Sequence, residues 1–166
     1  SVDLLCAFVM WPGIRLLVEE LRQLRAHDVP IRIITSTYTG CTDRRTLDRL
    51  VHEFGAQVKV HYETKRTRLH AKAWLFKRNT GFDTGYVGSS NLSSSALLDG
   101  VEWNVRISQT ATPTLMRKFD ATFESYWNDP VFESYDPTRD AVRLDHALAE
   151  AAGKATTEAL SLSGLQ

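Results

Sequence analysis

Two short runs hold the residues best suited to chemistry: Leu69-His70-Ala71-Lys72 and, after a turn, Gly88-Ser89-Ser90-Asn91. His70 and Lys72 stand two apart in an apolar run from Leu69 to Phe76. The two-residue period of a strand would aim both at one face. A nucleophile or acid/base then lies beside a fixed cation, an arrangement suited to a phosphate. Gly88-Ser89-Ser90-Asn91 adds small donors at the end of the next strand, Tyr86-Val87, and Glu102 follows on a third apolar stretch, Val101 to Ile107. A lone histidine on a strand is ordinarily structural, and Gly-Ser-Ser-Asn is ordinarily a turn. Their conjunction in this order and spacing is far more specific.

Such a set can cleave a phosphodiester without a metal. Imidazole can attack phosphorus and form a covalent intermediate. Lys72 and Asn91 can hold the non-bridging oxygens as charge develops. Ser89 can add a donor. Glu102 can accept the second ring N–H of His70, fixing its tautomer and stabilising the imidazolium.

His70-x-Lys72, Gly88-Ser89-x-Asn91 and Glu102 resemble the signature of the phospholipase D superfamily, the HKD phosphodiesterases. The surrounding residues, Thr67 to Phe76 and Gly85 to Ser93, are similar to the nuclease-like HKD domain of bacterial superfamily II helicases. The likeness runs from about Asp3 to about Tyr135. It implies a nuclease, with DNA favoured, acting through a phosphohistidine intermediate and requiring no cofactor. It also implies attached helicase domains. The family site contains two motifs and this chain carries one, so the resemblance implies a homodimer sharing one site, or a partner domain supplying the other half. One position departs from the pattern. Five residues after the lysine the family has an aspartate, and this chain has Lys77. A nucleic-acid-binding module with a vestigial site and a phospholipid hydrolase or transferase are the alternative readings.

The chain has 166 residues, is 43% hydrophobic and has a formal net charge of +0, with an isoelectric point near 6.9. Length and composition suffice for one packed core. There is no global basic signal for nucleic acid, but the distribution is uneven. Lys65, Arg66, Arg68, Lys72, Lys77 and Arg78 gather around the His70 strand, while Asp120, Glu124, Asp129, Glu133, Asp136 and Asp140 lie downstream. A local basic patch fits a phosphate-handling cleft. Lys65, Arg66 and Arg68 are expected to touch backbone phosphates, with Gly88 and Ser90 contributing at the turn.

Other chemistries fail on spacing. His52-Glu53 begins a zinc-protease motif, but Ala56 stands where the second histidine is needed. Leu92 replaces the closing glycine of a nucleophile elbow. No Walker A sequence and no structural-zinc spacing occur. Two unpatterned cysteines, Cys6 and Cys41, fit a reducing cytoplasm, and no apolar stretch is long enough to span a bilayer.

The elements that must position these residues read as α/β, a mixed sheet flanked by helices. Asp3 to Val9 reads as a buried strand. Pro12 opens a helix through Arg25 with Leu16, Leu17, Leu21 and Leu24 inward. Ile31 to Ile34 is a second strand, followed by a polar stretch from Thr35 to Thr42 where open α/β sheets place ligand loops. Thr42 or Asp43 caps a helix ending at Gly55. Gln57 to Val60 is a third strand, and the His70 and Tyr86 strands form a hairpin. Pro113 opens a helix carrying Leu115, Phe119 and Phe123, with Trp127 as a core anchor. The division expected is an HKD domain over 1–135 and a terminal helix or linker over 136–166.

Overall fold

The computed structural model describes residues 1–62, 69–92 and 103–163, with side chains of the last helix described to Lys154. Among the described residues seven strands form one sheet: β1 (Val2–Cys6), β2 (Ile31–Ser36), β3 (Gln57–His61), β4 (Lys72–Phe76), β5 (Thr84–Gly88), β6 (Asn104–Ser108) and β7 (Phe132–Ser134). Their order is β6-β5-β4-β1-β2-β3-β7. The β1-β2-β3 centre is parallel, and β4, β5, β6 and β7 each join their neighbours antiparallel. The parallel pairs need helical crossovers. These are α1 (Trp11–Ile14) with α2 (Val18–Ala26), and then α3 (Arg44–His52). The sheet is mixed and flanked by helices, as the sequence implies.

Alternation along the strands divides the core in two. Leu4, Cys6, Ile33, Val58 and Val60 pack toward α1, α2, α3 and the long α5 (Pro137–Ser163). Leu5, Ile34, Ala73, Leu75 and Ile107 pack toward α4 (Pro113–Asn128). The Asp43 side chain accepts from Arg45 N and caps α3, sending Leu47 and Leu50 inward at 0% and 1% exposure. Gly55, at φ +65°, ends that segment. In α5, Leu144 and Leu148 are buried in the first core cluster, so the front of this helix is packed against the body.

Three local expectations change. The first helix is broken by a 3₁₀ turn at Arg15–Leu17, and the tighter winding takes Leu16 out of the apolar stripe to 38% exposure. In α4 the inward residue of the first turn is Met116, while Leu115 is exposed. The three-residue β7 was not expected, because only Phe132 of its residues is buried.

Candidate active site

The candidate site lies at the edge of the sheet where β1, β2 and β5 end and β4 begins. Cys6, the last residue of β1, is in register with Lys72, the first of β4. Ligand sites in α/β sheets favour such strand ends. His70 and Ala71 precede β4 and lie outside the strand. A shared pleat therefore does not explain how His70 meets Lys72. The lysine reaches back to it instead.

Lys72 is buried at 7% exposure. Its Nζ lies 3.0 Å from His70 Nδ1, 3.3 Å from Nε2 and 3.0 Å from the His70 carbonyl oxygen, while the His70 side chain is exposed. An ammonium only donates, so the ring nitrogen it bonds must present a lone pair, and the imidazole is neutral in that contact. Attack by that nitrogen requires the lysine to let go. A phosphate oxygen can take over the Lys72 N–H bonds in a charge-assisted exchange, leaving the imidazole lone pair beside phosphorus.

The Gly88-Ser89-Ser90-Asn91 segment crosses the end of β1. Leu92 bridges to Val9, and Met10 N donates to Leu92 O. Cys6 Sγ lies 3.6 Å from Asn91 Oδ1, 3.0 Å from Phe8 O and 3.3 Å from Leu92 N. Burial pushes the Cys6 thiol up to about 11. The neutral thiol thus ties this segment to β1. Ser89 Oγ accepts from Trp103 N and Ser90 Oγ from Asn104 Nδ2. Gly88 is required sterically, since a Cβ there would run into the carbonyl of Trp103 and the side chain of Asn104. Lys65, Arg66, Arg68 and Glu102 lie outside the described residues.

Sequence reasoning missed Phe8 and reached Tyr38 only as part of the polar stretch from Thr35 to Thr42. Both rings sit edge-on to His70, with centroids 6.3 and 6.4 Å away, and stack on each other. That stretch follows β2, and its ligand-loop position is the signal that bears on Tyr38. The turn of Tyr38 is braced by α5. Gly40, at φ +70°, lies so close that a Cβ would strike the Leu148 carbonyl and Ala152.

Lys77 sits at the other end of β4, about 16 Å from Lys72 at ~3.3 Å per strand residue. Its ammonium contacts Asp3, Asp120 and Glu124. Arg32 bonds both oxygens of the fully buried Asp3 at 2.7 Å and also engages Glu124. Burial opposes the Lys77 charge, but bonds to Asp120 and Glu124 and the field of Asp3 outweigh it and raise its pKa. The Arg32 guanidinium holds the Glu124 carboxyl below the usual range. Asp3, Asp120 and Glu124 are spaced closely enough to hold a cation, yet Arg32 and Lys77 already occupy their oxygens. Lys77 therefore drops out of the phosphate-facing patch that charge clustering suggested, and Arg78, the next residue, lies beyond the same far end of β4, where its side chain donates to Phe82 O and Thr84 Oγ1.

A family model described as cardiolipin synthase, PLD-like domain, matches residues 3–127. No curated protein matches the chain. Among solved structures it resembles NucT from Helicobacter pylori, with a TM-score of 0.58 and 14% identity over 81% of this chain and 82% of that one. No helix among the described residues is long and apolar enough to cross a membrane. The matched span holds β1 through α4, including the His70–Lys72 corner, and the chain belongs to the phospholipase D-like domain family.

Proposed function

We propose that the chain is a metal-independent phosphodiesterase, a nuclease acting on DNA. The observation that carries this reading is the buried Lys72 ammonium against the exposed His70 imidazole at a sheet edge that also presents Ser89, Ser90 and Asn91. His70 attacks phosphorus and forms the phosphohistidine. Lys72 and Asn91 hold the phosphoryl oxygens, Ser89 adds a donor, and Glu102 orients the imidazole. Positioned acid/base help of this kind contributes ~10²–10⁴ in rate.

One imidazole cannot attack on one side of phosphorus and protonate the leaving oxygen on the other. A second copy of the chain supplies the second His70 across a two-fold axis, because an isologous contact brings a patch to itself. Lys65, Arg66 and Arg68 guide the strand in through its phosphates, and attached helicase domains present it. Replacement of the family aspartate by Lys77 is compatible with activity, because the ion network of Lys77 lies at the far end of β4. The experiment is a nuclease assay in EDTA on single- and double-stranded DNA. Cleavage that survives chelation is expected. Complete loss in EDTA, restored by Mg²⁺, would contradict the mechanism.

The family description favours one second reading, transfer or hydrolysis at a phospholipid diester. The same His70–Lys72 chemistry would serve it. Release of headgroup from phosphatidylglycerol vesicles in the same buffer separates the two.

A further inference from the structure

On the half of the sheet formed by β4, β5 and β6, the face opposite α4 carries Trp74, Phe76 and Tyr86, and a groove of 610 Å³ runs along it. Lys72 stands at one end on the same strand face, with Ser90 and Asn104 beside it, and Leu21 and Leu24 of α2 form the opposite wall. Trp74 and Phe76 stack with centroids 6.0 Å apart and planes 6° from parallel, and Tyr86 meets Phe76 edge-on. Tyr86 is 39% exposed. Arg106, exposed, is in register with Tyr86 and shares its face.

The geometry points to a binding site for unpaired nucleobases: a strand whose scissile phosphate sits at His70 and Lys72 lays its neighbouring bases into the Trp74-Phe76-Tyr86 groove. This rests on the nuclease reading above and narrows its substrate to single strands or frayed ends. Three features support that occupant. The groove is continuous with the phosphate corner. Its polarity runs from a cation, a hydroxyl and a carboxamide at Lys72, Ser90 and Asn104 to aromatic rings farther along. Its volume lies within the range of small-ligand pockets. Successive same-face residues on β4 are ~6.6 Å apart, so bases of one extended strand can meet successive rings. Aromatic platforms on sheet faces hold bases without regard to sequence. A duplex keeps its base faces stacked and cannot offer them. Glu20, also on the rim, repels phosphate and keeps the backbone on the Lys72 and Arg106 side.

The test is binding of a fluorescein-labelled 12-nucleotide strand, its duplex, and an abasic strand of equal charge, using the His70→Asn chain so that the strand stays intact. Single strand should bind about tenfold or more tightly than either competitor. Tyr86→Ala, and separately Phe76→Ala, should erase most of that preference while leaving abasic binding unchanged. Equal binding of intact and abasic strands, with wild type still cutting DNA, overturns the groove and leaves the nuclease reading standing. Failure of wild type to bind or cut any DNA overturns both. Loss of phosphatidylglycerol-vesicle binding in Tyr86→Ala, with strand binding unchanged, assigns the groove to acyl chains. Conversion of a dimer to a monomer by Tyr86→Ala, with strand binding unchanged, assigns it to a second copy. Either result overturns the proposal.

Discussion

A lysine opens β4 and another follows its last residue, and the contrast between them separates a candidate site from a scaffold. At the far end, Lys77 is shared among Asp3, Asp120 and Glu124, with Arg32 closing the network. Those contacts join β1, β2, β4 and α4, and an arriving anion would find carboxylates competing for every donor. At the near end, the partners of Lys72 among the described residues are an imidazole and a carbonyl. A neutral acceptor yields its hydrogen bond to a phosphate oxygen far more readily than a carboxylate does. Lys72 is the more buried of the two, at 7% exposure against 25% for the Lys77 side chain. Lys77 therefore serves as structural glue.

The sharpest way to break the comparison is to remove the reacting group. His70→Asn should lower turnover by ~10³-fold or more and leave the melting temperature nearly unchanged, since the side chain is exposed. Lys72→Met should cost both phosphate affinity and rate. Steady-state kinetics and a thermal melt check both variants. If His70→Asn cuts at the wild-type rate, the two ends of β4 are not divided as described.

The converse pattern is expected at the far end. Asp3→Asn leaves Arg32 and Lys77 without their buried anion, a loss on the order of 3 kcal/mol. That corresponds to roughly 6–12 °C in melting temperature for a domain of this size. Single-turnover rates at 15 °C should hold within a few-fold. A large rate loss with an unchanged melt would mean that the network acts on the chemistry.

Acidification should sharpen the same distinction. The Glu124 carboxyl is held below the ordinary range by Arg32. Its stabilising contribution is therefore present above the unfolded carboxylate value and is lost as pH falls through the lowered folded value. Glu124 is partly solvent-exposed, so the effect is modest. Denaturant midpoints should fall more steeply below about pH 4.5 in wild type than in Glu124→Gln. Parallel curves would remove Glu124 from the network.

The smallest effect concerns the thiols. Cys6 is buried with its pKa pushed up to about 11, and Cys41 is exposed. A thiol reagent at pH 8 should label Cys41 in the native chain and reach Cys6 only on unfolding. Rapid labelling of both would mean that the Cys6 tie to the Asn91 segment opens readily.

Much of the sheet was legible because its signals are local. The apolar runs of β1 and β2, Pro113 at the start of α4 and the Asp43 cap each act within a few residues. The His70-x-Lys72 and Gly88-Ser89-x-Asn91 runs carried the family for the same reason. What the sequence hid is assembled from distant positions. Phe8 and Tyr38 reach His70 only because β1 and β2 end at one edge. The partners of Lys77 come from positions 3, 120 and 124, so charge clustering along the chain placed it in a phosphate patch to which it does not belong. The aromatic groove was equally hidden, because α2 forms its wall from nearly fifty residues upstream.

The central claim is that His70 itself takes the phosphoryl group. The most direct measurement is intact-protein mass spectrometry after alkaline quench of the chain reacting with a short DNA strand in EDTA. The expected result is an adduct on His70 that survives base, is lost in acid and is absent from His70→Asn. Efficient cleavage with no such adduct at any time point, or an adduct on another residue, would contradict the account.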